Sequence, residues 1–263
     1  MENKNTIIHF VGAGSGAKDL ITVRGAELLK NADIVIYAGS LVNPELLEYC
    51  PDAKIYNSAF MTLDEIIDVM KDAYDSNKSI VRLHTGDPSL YGAIREQMDS
   101  LDELGIPYDI CPGVTACFGA ASSLNLEYTL PGISQSLIIT RMAGKTDVPD
   151  SETIESFAAH KTSMAIYLST SMLDELSERL VRGGYSADTP AAIVYKATWP
   201  DEECYICTLE TLAQTAKEHN ITKTAVILVG NVIANSGYKK SRLYAPDFST
   251  EYREAEVDDN KNL

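Results

Sequence analysis

The 263-residue chain sets 22 Lys and Arg against 38 Asp and Glu, a formal net charge of −16 that opposes non-specific binding to nucleic acid or anionic lipid. No apolar run approaches the eighteen or so residues of a membrane span, and Met1 to Asn5 lacks the basic and apolar regions of a signal peptide. The expectation is a soluble cytoplasmic protein without nucleic-acid or membrane partners, long enough to divide a sizeable core between two domains.

Thr6 to Val11 reads as a buried-type strand leading into Gly12-Ala13-Gly14-Ser15-Gly16-Ala17, a turn suited to close backbone approach ahead of a helical pattern around Arg24 to Lys30. The turn fits Gly-x-Gly-x-x-Gly/Ala with Gly12, Gly14 and Ala17 in the three slots. A dinucleotide site also needs an acid after the second strand, yet Ala32 to Tyr37 ends in Ala38-Gly39-Ser40, with Asp33 at the wrong end. Thr62 and Glu65 form a capping box for a helix whose Ile66, Ile67, Met70, Ala73 and Tyr74 share one apolar face.

Ser79 to Leu83 is again a strand, and Ala93 to Leu104 carries helical spacing. Between them runs Arg82-Leu83-His84-Thr85-Gly86-Asp87-Pro88-Ser89-Leu90-Tyr91-Gly92. A loop at the carboxyl end of a strand is where open α/β sheets bind ligands. Gly86 admits dihedrals closed to other residues, Pro88 keeps Asp87 out of the helical region, and Asp87 offers a carboxylate as acceptor. An ordinary turn has the same composition. Ile106 to Cys111 closes a strand–helix alternation that implies a parallel sheet.

Pro112-Gly113 breaks the pattern, and Val114 to Ser123 is a run of small residues able to pack closely against a neighbour or a ligand. The predicted division is an N-terminal α/β domain over 1–112, a second over 113–235 and an acidic, solvated tail over 236–263. In the second domain Ser136 to Arg141, Ser163 to Leu168, Ala191 to Tyr195 and Thr224 to Val229 read as strands. Helical patterns lie near Glu152 to Ala159, Leu173 to Arg182 and Leu209 to Glu218. Leu126 to Ser134 and Ala143 to Asp150 read as loops bordering a cleft.

Five cysteines without a secretory signal imply reduced thiols, and Cys204-Tyr205-Ile206-Cys207 lacks the second pair that a zinc site of that spacing needs. No His-Glu-x-x-His, Gly-x-Ser-x-Gly or Walker pattern is present, which leaves hydrolase chemistry without a foothold.

Val11 to Gly16, Asp19 to Thr22, Thr85 to Gly92, Pro112 to Ala116 and Thr224 to Gly230 resemble, in order and spacing, the tetrapyrrole methylase family over about residues 6 to 234. Within it, Tyr37 to Pro44, Arg82 to Asp87 and Tyr195 to Glu202 resemble the branch acting on C-11 of precorrin-4 or cobalt-precorrin-4, with the overall likeness leaning to the cobalt form. The resemblance implies S-adenosylmethionine bound between two α/β domains of a homodimer and a tetrapyrrole as substrate. By position it implies cofactor contacts at Ser15, Thr85, Gly86, Asp87, Leu90, Thr115, Ala116, Leu168 and Ala197. Ser15 departs from the family's usual proline.

A sulfonium methyl is already electrophilic, so such an enzyme has to align it and exclude water, and needs no nucleophilic residue. No catalytic residue is identified from the sequence. Arg82, His84, Arg95, Arg141, Lys145 and Lys196 lie in or beside the cleft-bordering loops and are candidates for substrate carboxylates, the alternative being solvated surface cations. Cobalt can be held by the macrocycle's own nitrogens, so no protein metal ligand is expected. A non-catalytic tetrapyrrole-binding protein on the same scaffold is the reading of a different class.

Overall fold

The computed structural model describes residues 6–255. Its first half holds β1 (Ile8–Gly12), α1 (Val23–Lys30), β2 (Ile34–Tyr37), β3 (Lys54–Asn57), α2 (Leu63–Asp75), β4 (Ile80–His84), α3 (Arg95–Leu104) and β5 (Tyr108–Cys111). The five strands form a parallel sheet in the order β3-β2-β4-β1-β5. Both faces are covered: Ile8, Phe10, Ile34 and Ile36 pack with Ile66, Met70, Met98 and Leu101 on one side, and Val11, Val35, Val81 and Leu83 pack with Leu29, Val42 and Leu46 on the other. Burial on two faces is why the interior strands β1 and β2 and the start of β4 read as largely apolar runs.

The second half begins with α4 (Ala116–Ser123) and continues through β6 (Leu137–Arg141), α5 (Ile154–Ala158), β7 (Ser163–Tyr167), α6 (Leu173–Gly183), β8 (Pro190–Tyr195), β9 (Glu203–Thr208), α7 (Leu212–Glu218) and β10 (Ala225–Val229). The sheet order is β6-β7-β10-β8-β9, with β6 and β7 parallel and every other pairing antiparallel. One face carries α5, α6 and α7, and the other is covered by α4 and the segment around Tyr128 and Leu130. Because β10 runs against β7 and β8, its start lies beside their carboxyl ends, so Thr222 to Val226 reaches the same edge as Leu168 and Ala197.

The capping box of α2 is complete: the Thr62 hydroxyl accepts from the Glu65 amide, and the Glu65 carboxylate accepts from the Thr62 amide at 2.7 Å. Ile66, Ile67, Met70 and Ala73 are buried beneath it. Between residues 236 and 255 the tail is mostly exposed and also carries local hydrogen bonds. Lys239 donates its amide to the Pro131 carbonyl at 2.8 Å, and the Arg253 guanidinium ties together the carbonyls of Leu243, Ala245 and Phe248. The segment is mostly exposed yet locally organised; Met1 to Asn5 and residues 256–263 of the acidic tail lie outside the described residues. Among the described residues no helix is long and apolar enough to cross a membrane.

Arg82 and His84 do not face a cleft. β4 is an interior strand of a sheet covered on both faces, so its polar positions are buried with its apolar ones: Arg82 is 5% exposed and His84 3%. Arg82 donates to the Gln97 amide oxygen at 3.1 Å and to the Ile36 carbonyl at 3.2 Å. Burial lowers its pKa to about 10. His84 stacks on Phe10 with Nε2 unpartnered, and burial first, then the Arg82 charge, lowers its pKa to about 3.

The unfolded chain therefore takes up a proton, as pH falls through about 6.5, that folded His84 refuses until about pH 3. With more protons on the unfolded state, stability falls as pH falls in that window. The urea midpoint is expected to drop between pH 7 and 5, and His84→Gln to flatten that drop; an equal pH slope in the variant would contradict the assignment.

Candidate functional site

Three loops of the parallel sheet meet at three glycine backbones. A Cβ on Gly12 would stand 2.6 Å from the Gly86 carbonyl oxygen and 2.7 Å from the Gly113 Cα, and one on Gly113 would stand 2.2 Å from the same oxygen. Gly14 and Gly86 exchange amide–carbonyl hydrogen bonds at 3.2 and 3.0 Å, and both have positive φ, +82° and +60°. Backbone contact this close requires the absence of side chains. The loops after β1, β4 and β5 are thereby fused into one floor at the carboxyl edge of the parallel sheet.

Asp87 braces that floor and does not line the cavity above it. Its Oδ2 accepts from the Gly113 amide and its Oδ1 from the Ser89 amide, both at 2.9 Å, with the Ser89 hydroxyl donating as well. Burial works against the charge, but these hydrogen bonds outweigh it and hold the carboxyl below its ordinary range. Both oxygens accept hydrogen bonds from the protein itself.

The cavity measures about 390 Å³. Ser15, Thr85, Gly86, Leu90, Thr115, Ala116, Leu168 and Ala197 line it, so the structure brings together the sequence-derived cofactor positions with the exception of Asp87. Leu168 is not core: it is 62% exposed and held at φ +52°. Ser40, Leu41, Tyr91, Tyr167, Trp199 and Thr222 to Val226 also contribute and were not singled out from the sequence. The start of β10 belongs to a motif read from the sequence, but it reaches the site through the antiparallel reversal of that strand.

Two hydroxyl networks hold the walls. The Tyr167 hydroxyl accepts from the Cys117 amide at 2.7 Å and shares a 2.9 Å hydrogen bond with Thr115 Oγ1, anchoring the start of α4 to the end of β7. Burial pushes the Tyr167 hydroxyl well above its usual pKa, so it stays protonated as a donor. On the opposite wall, Ser15 Oγ pairs with Thr198 Oγ1 at 2.9 Å, and the same Thr198 oxygen accepts from the Ala17 amide at 3.1 Å. Thr198, at φ +65°, is held in turn by Glu202, whose carboxylate accepts from the Thr198 amide and the Ser123 hydroxyl. The Trp199 indole covers Gly16 so closely that a Cβ there would lie 2.1 Å from the ring.

The candidate substrate cations are mostly engaged elsewhere. Arg95 is exposed on α3 and pairs with Asp99 and Asp102, away from the cavity. Arg141 spends its guanidinium on the carbonyls of Met142, Thr146 and Asp147, which fixes the following loop. Lys145, in that loop, is exposed. Lys196 lines the cavity, but its ammonium pairs with Asp201 and lies 5.3 Å from the Tyr195 and Trp199 ring centres. Cys204 and Cys207 sit on edge strand β9, three residues apart and therefore on opposite faces, and burial raises both thiols to about 11. No group of three or more potential metal-ligating side chains occurs among the described residues.

A cavity lined from both α/β sheets, with Ser and Thr hydroxyls interspersed among Leu, Ala and Val side chains, defines a small-molecule cleft protein. The family profile of the Tetrapyrrole (Corrin/Porphyrin) Methylases matches residues 7–213, and the chain belongs to that family. It is 49% identical to a cobalt-precorrin-4 C(11)-methyltransferase of Methanocaldococcus jannaschii, over 97% of this chain and 98% of that one. It is 42% identical to a precorrin-4 C(11)-methyltransferase of Pseudomonas aeruginosa, over 95% and 99% respectively. The X-ray structure of a cobalt precorrin-4 methyltransferase superposes with a TM-score of 0.85 at 41% identity, covering 88% of this chain and 96% of that one.

The Ser15–Thr198 contact yields a prediction. Ser15→Ala is expected to cost about 1 kcal/mol, and Thr198→Val more, because the Ala17 amide then loses its acceptor too. The double variant should fall short of the sum of the two, since both singles remove the same bond. Thermal unfolding of the three variants measures this, and strict additivity would refute the pairing.

Proposed function

We propose that this protein transfers the methyl group of S-adenosylmethionine to C-11 of cobalt-precorrin-4, giving cobalt-precorrin-5A in cobalamin biosynthesis, and that it does so in the cytoplasm as a homodimer. The observation that carries the reading is the cavity between the two sheets, found in a chain 49% identical, over 97% of its length, to a cobalt-precorrin-4 C(11)-methyltransferase. The second reading, metal-free precorrin-4 as substrate, draws on the 42% identity to an enzyme of that name.

The cavity suits a nucleoside joined to an amino acid. It has room in the range of small-molecule sites, apolar wall at Leu90, Leu168 and Val226, and hydroxyls at Ser15, Thr85, Thr115 and Thr170. In this reading Thr85, Gly86 and Leu90 hold the cofactor from below, Thr115 and Ala116 at the start of α4, and Leu168 and Ala197 from the second sheet. Bound there, S-adenosylmethionine supplies a methyl group that is electrophilic without further activation. The protein's part is alignment and exclusion of water. Asp87 acts at one remove, keeping Gly86 and Gly113 in register through its bonds to Gly113 and Ser89.

Calorimetry is expected to give one S-adenosylmethionine site per subunit, with Asp87→Ala weakening it at least about tenfold through loss of a charge-assisted brace. Unchanged affinity in that variant would remove Asp87 from the site. An anaerobic assay with labelled cofactor and each macrocycle, the new methyl located by carbon NMR, is expected to favour cobalt-precorrin-4 and C-11. Preference for the metal-free ring would establish the second reading, and macrocycle binding without methyl transfer would make the protein a carrier. Light scattering showing monomer at micromolar concentration would refute the dimer.

A further inference from the structure

We propose that Tyr91 is a substrate-contacting residue, its ring forming the surface at the cavity mouth on which the flat, conjugated part of the tetrapyrrole rests. The inference builds on the methyltransferase reading and adds where the macrocycle sits.

Three observations converge on Tyr91. It lines the cavity, and it is 44% exposed, an unusual position for a large ring with an apolar face unless something covers it. It is also held at φ +56°, in the left-handed region that a bulky residue enters only at a cost. Glycine would satisfy that backbone without strain, and glycine is the next residue: Gly92 is so tightly turned that a Cβ there would stand 2.2 Å from the Pro88 carbonyl oxygen. The loop therefore keeps an aromatic side chain at a position where its backbone favours none.

The ring is also oriented. It leans on Tyr167 with centroids 5.7 Å apart and planes at 50°, and Tyr167 is itself locked by Thr115 and Cys117. Partial burial raises the Tyr91 hydroxyl above its ordinary pKa, with Arg141 opposing the rise and Glu152 adding to it, which puts the charged 141–152 loop within electrostatic reach. Leu90, one residue before, lines the cavity that the proposed cofactor would fill. A macrocycle on the Tyr91 ring would thus lie at the opening of that cavity, beside its future methyl donor. Stacking on one aromatic ring changes affinity by roughly three- to tenfold.

The test compares Tyr91→Phe, Tyr91→Ala and Tyr91→Gly with the unaltered protein, using cobalt-precorrin-4, S-adenosylmethionine and the product S-adenosylhomocysteine. Tyr91→Phe is expected to keep the KM for the macrocycle, whereas Tyr91→Ala and Tyr91→Gly raise it about three- to tenfold. In all three, S-adenosylhomocysteine affinity should change by less than the macrocycle KM does, and Tyr91→Gly should match or exceed the native Tm because it relieves the backbone. The absorbance change of the macrocycle on binding should shrink in Tyr91→Ala and survive in Tyr91→Phe. A structural role predicts the reverse, with Tyr91→Gly fully active. An unaltered macrocycle KM in an active Tyr91→Ala enzyme would overturn the subsite and leave the methyltransferase reading intact. Failure of the unaltered protein to bind any precorrin would overturn both.

Discussion

The contact among Gly12, Gly86 and Gly113 is the constraint on which the rest of the structure depends. Three loops leave three strands of one sheet and meet in a space with no room for a Cβ on Gly12 or Gly113, while Gly86 is held at φ +60°. Around that point the chain is built outward: Asp87 clamps Gly113, Gly14 pairs with Gly86, and α4 starts three residues after Gly113 and crosses to cover the second sheet. Of these glycines Gly86 reaches the cavity, and its amide and carbonyl are paired with Gly14, so the contact acts by fixing the loops that carry Thr85, Leu90 and Thr115 to the lining. A Cβ on Gly12 or Gly113 would push these loops of the first sheet apart.

How much of this was legible follows from the range of the interactions. The capping box at Thr62 and Glu65 spans three residues, so its chemistry is visible in the sequence. The strands of the two sheet interiors announce themselves as β-branched runs because they are buried on both sides. β3 and β9, by contrast, were not foreseen. Both are edge strands, Lys54–Asn57 and Glu203–Thr208, with largely exposed or half-exposed residues and no clean alternation. An edge strand is relieved of one neighbour and carries charge as protection against pairing, so the pattern that marks a strand is weakest there.

The site residues divide along the same line. Positions beside glycines or at helix starts, such as Thr85, Gly86, Thr115 and Ala116, are where their motifs led one to look. Arg82 and His84 misled because sequence proximity to the Thr85 loop suggested access, whereas an interior strand buries every side chain up to its last residue. Trp199 and the start of β10 lie in stretches that carry the resemblance, but their place on the cavity wall depends on tertiary contacts with Gly16 and on strand direction, which the sequence does not show. Ser15 is the instructive intermediate. Its place in the turn is readable, but its bond to Thr198, 183 residues away, is not. That bond gives the turn a tether to the opposite wall, a way of limiting loop freedom different from the fixed dihedral of a proline.

Charge remains to be reconciled with a substrate bearing carboxylates. The chain is strongly acidic, and Arg82, Arg95, Arg141 and Lys196 are buried or committed to partners within the protein. Lys223 is different: it is exposed, lies on the cavity wall beside Thr222, and has no ion-pair partner among the described residues. An isolated exposed cation contributes little in water and less with added salt. Long-range attraction is therefore a poor candidate for drawing a polyanion to this molecule, and the net field opposes it. Under the proposed function, recognition has to come from contact: apolar walls, aromatic rings at the mouth, and cations that act only at the last few ångströms. A binding mode of that kind is slow to engage and selective once engaged, because the repulsive surface discourages any anion too small or too featureless to gain from the cleft.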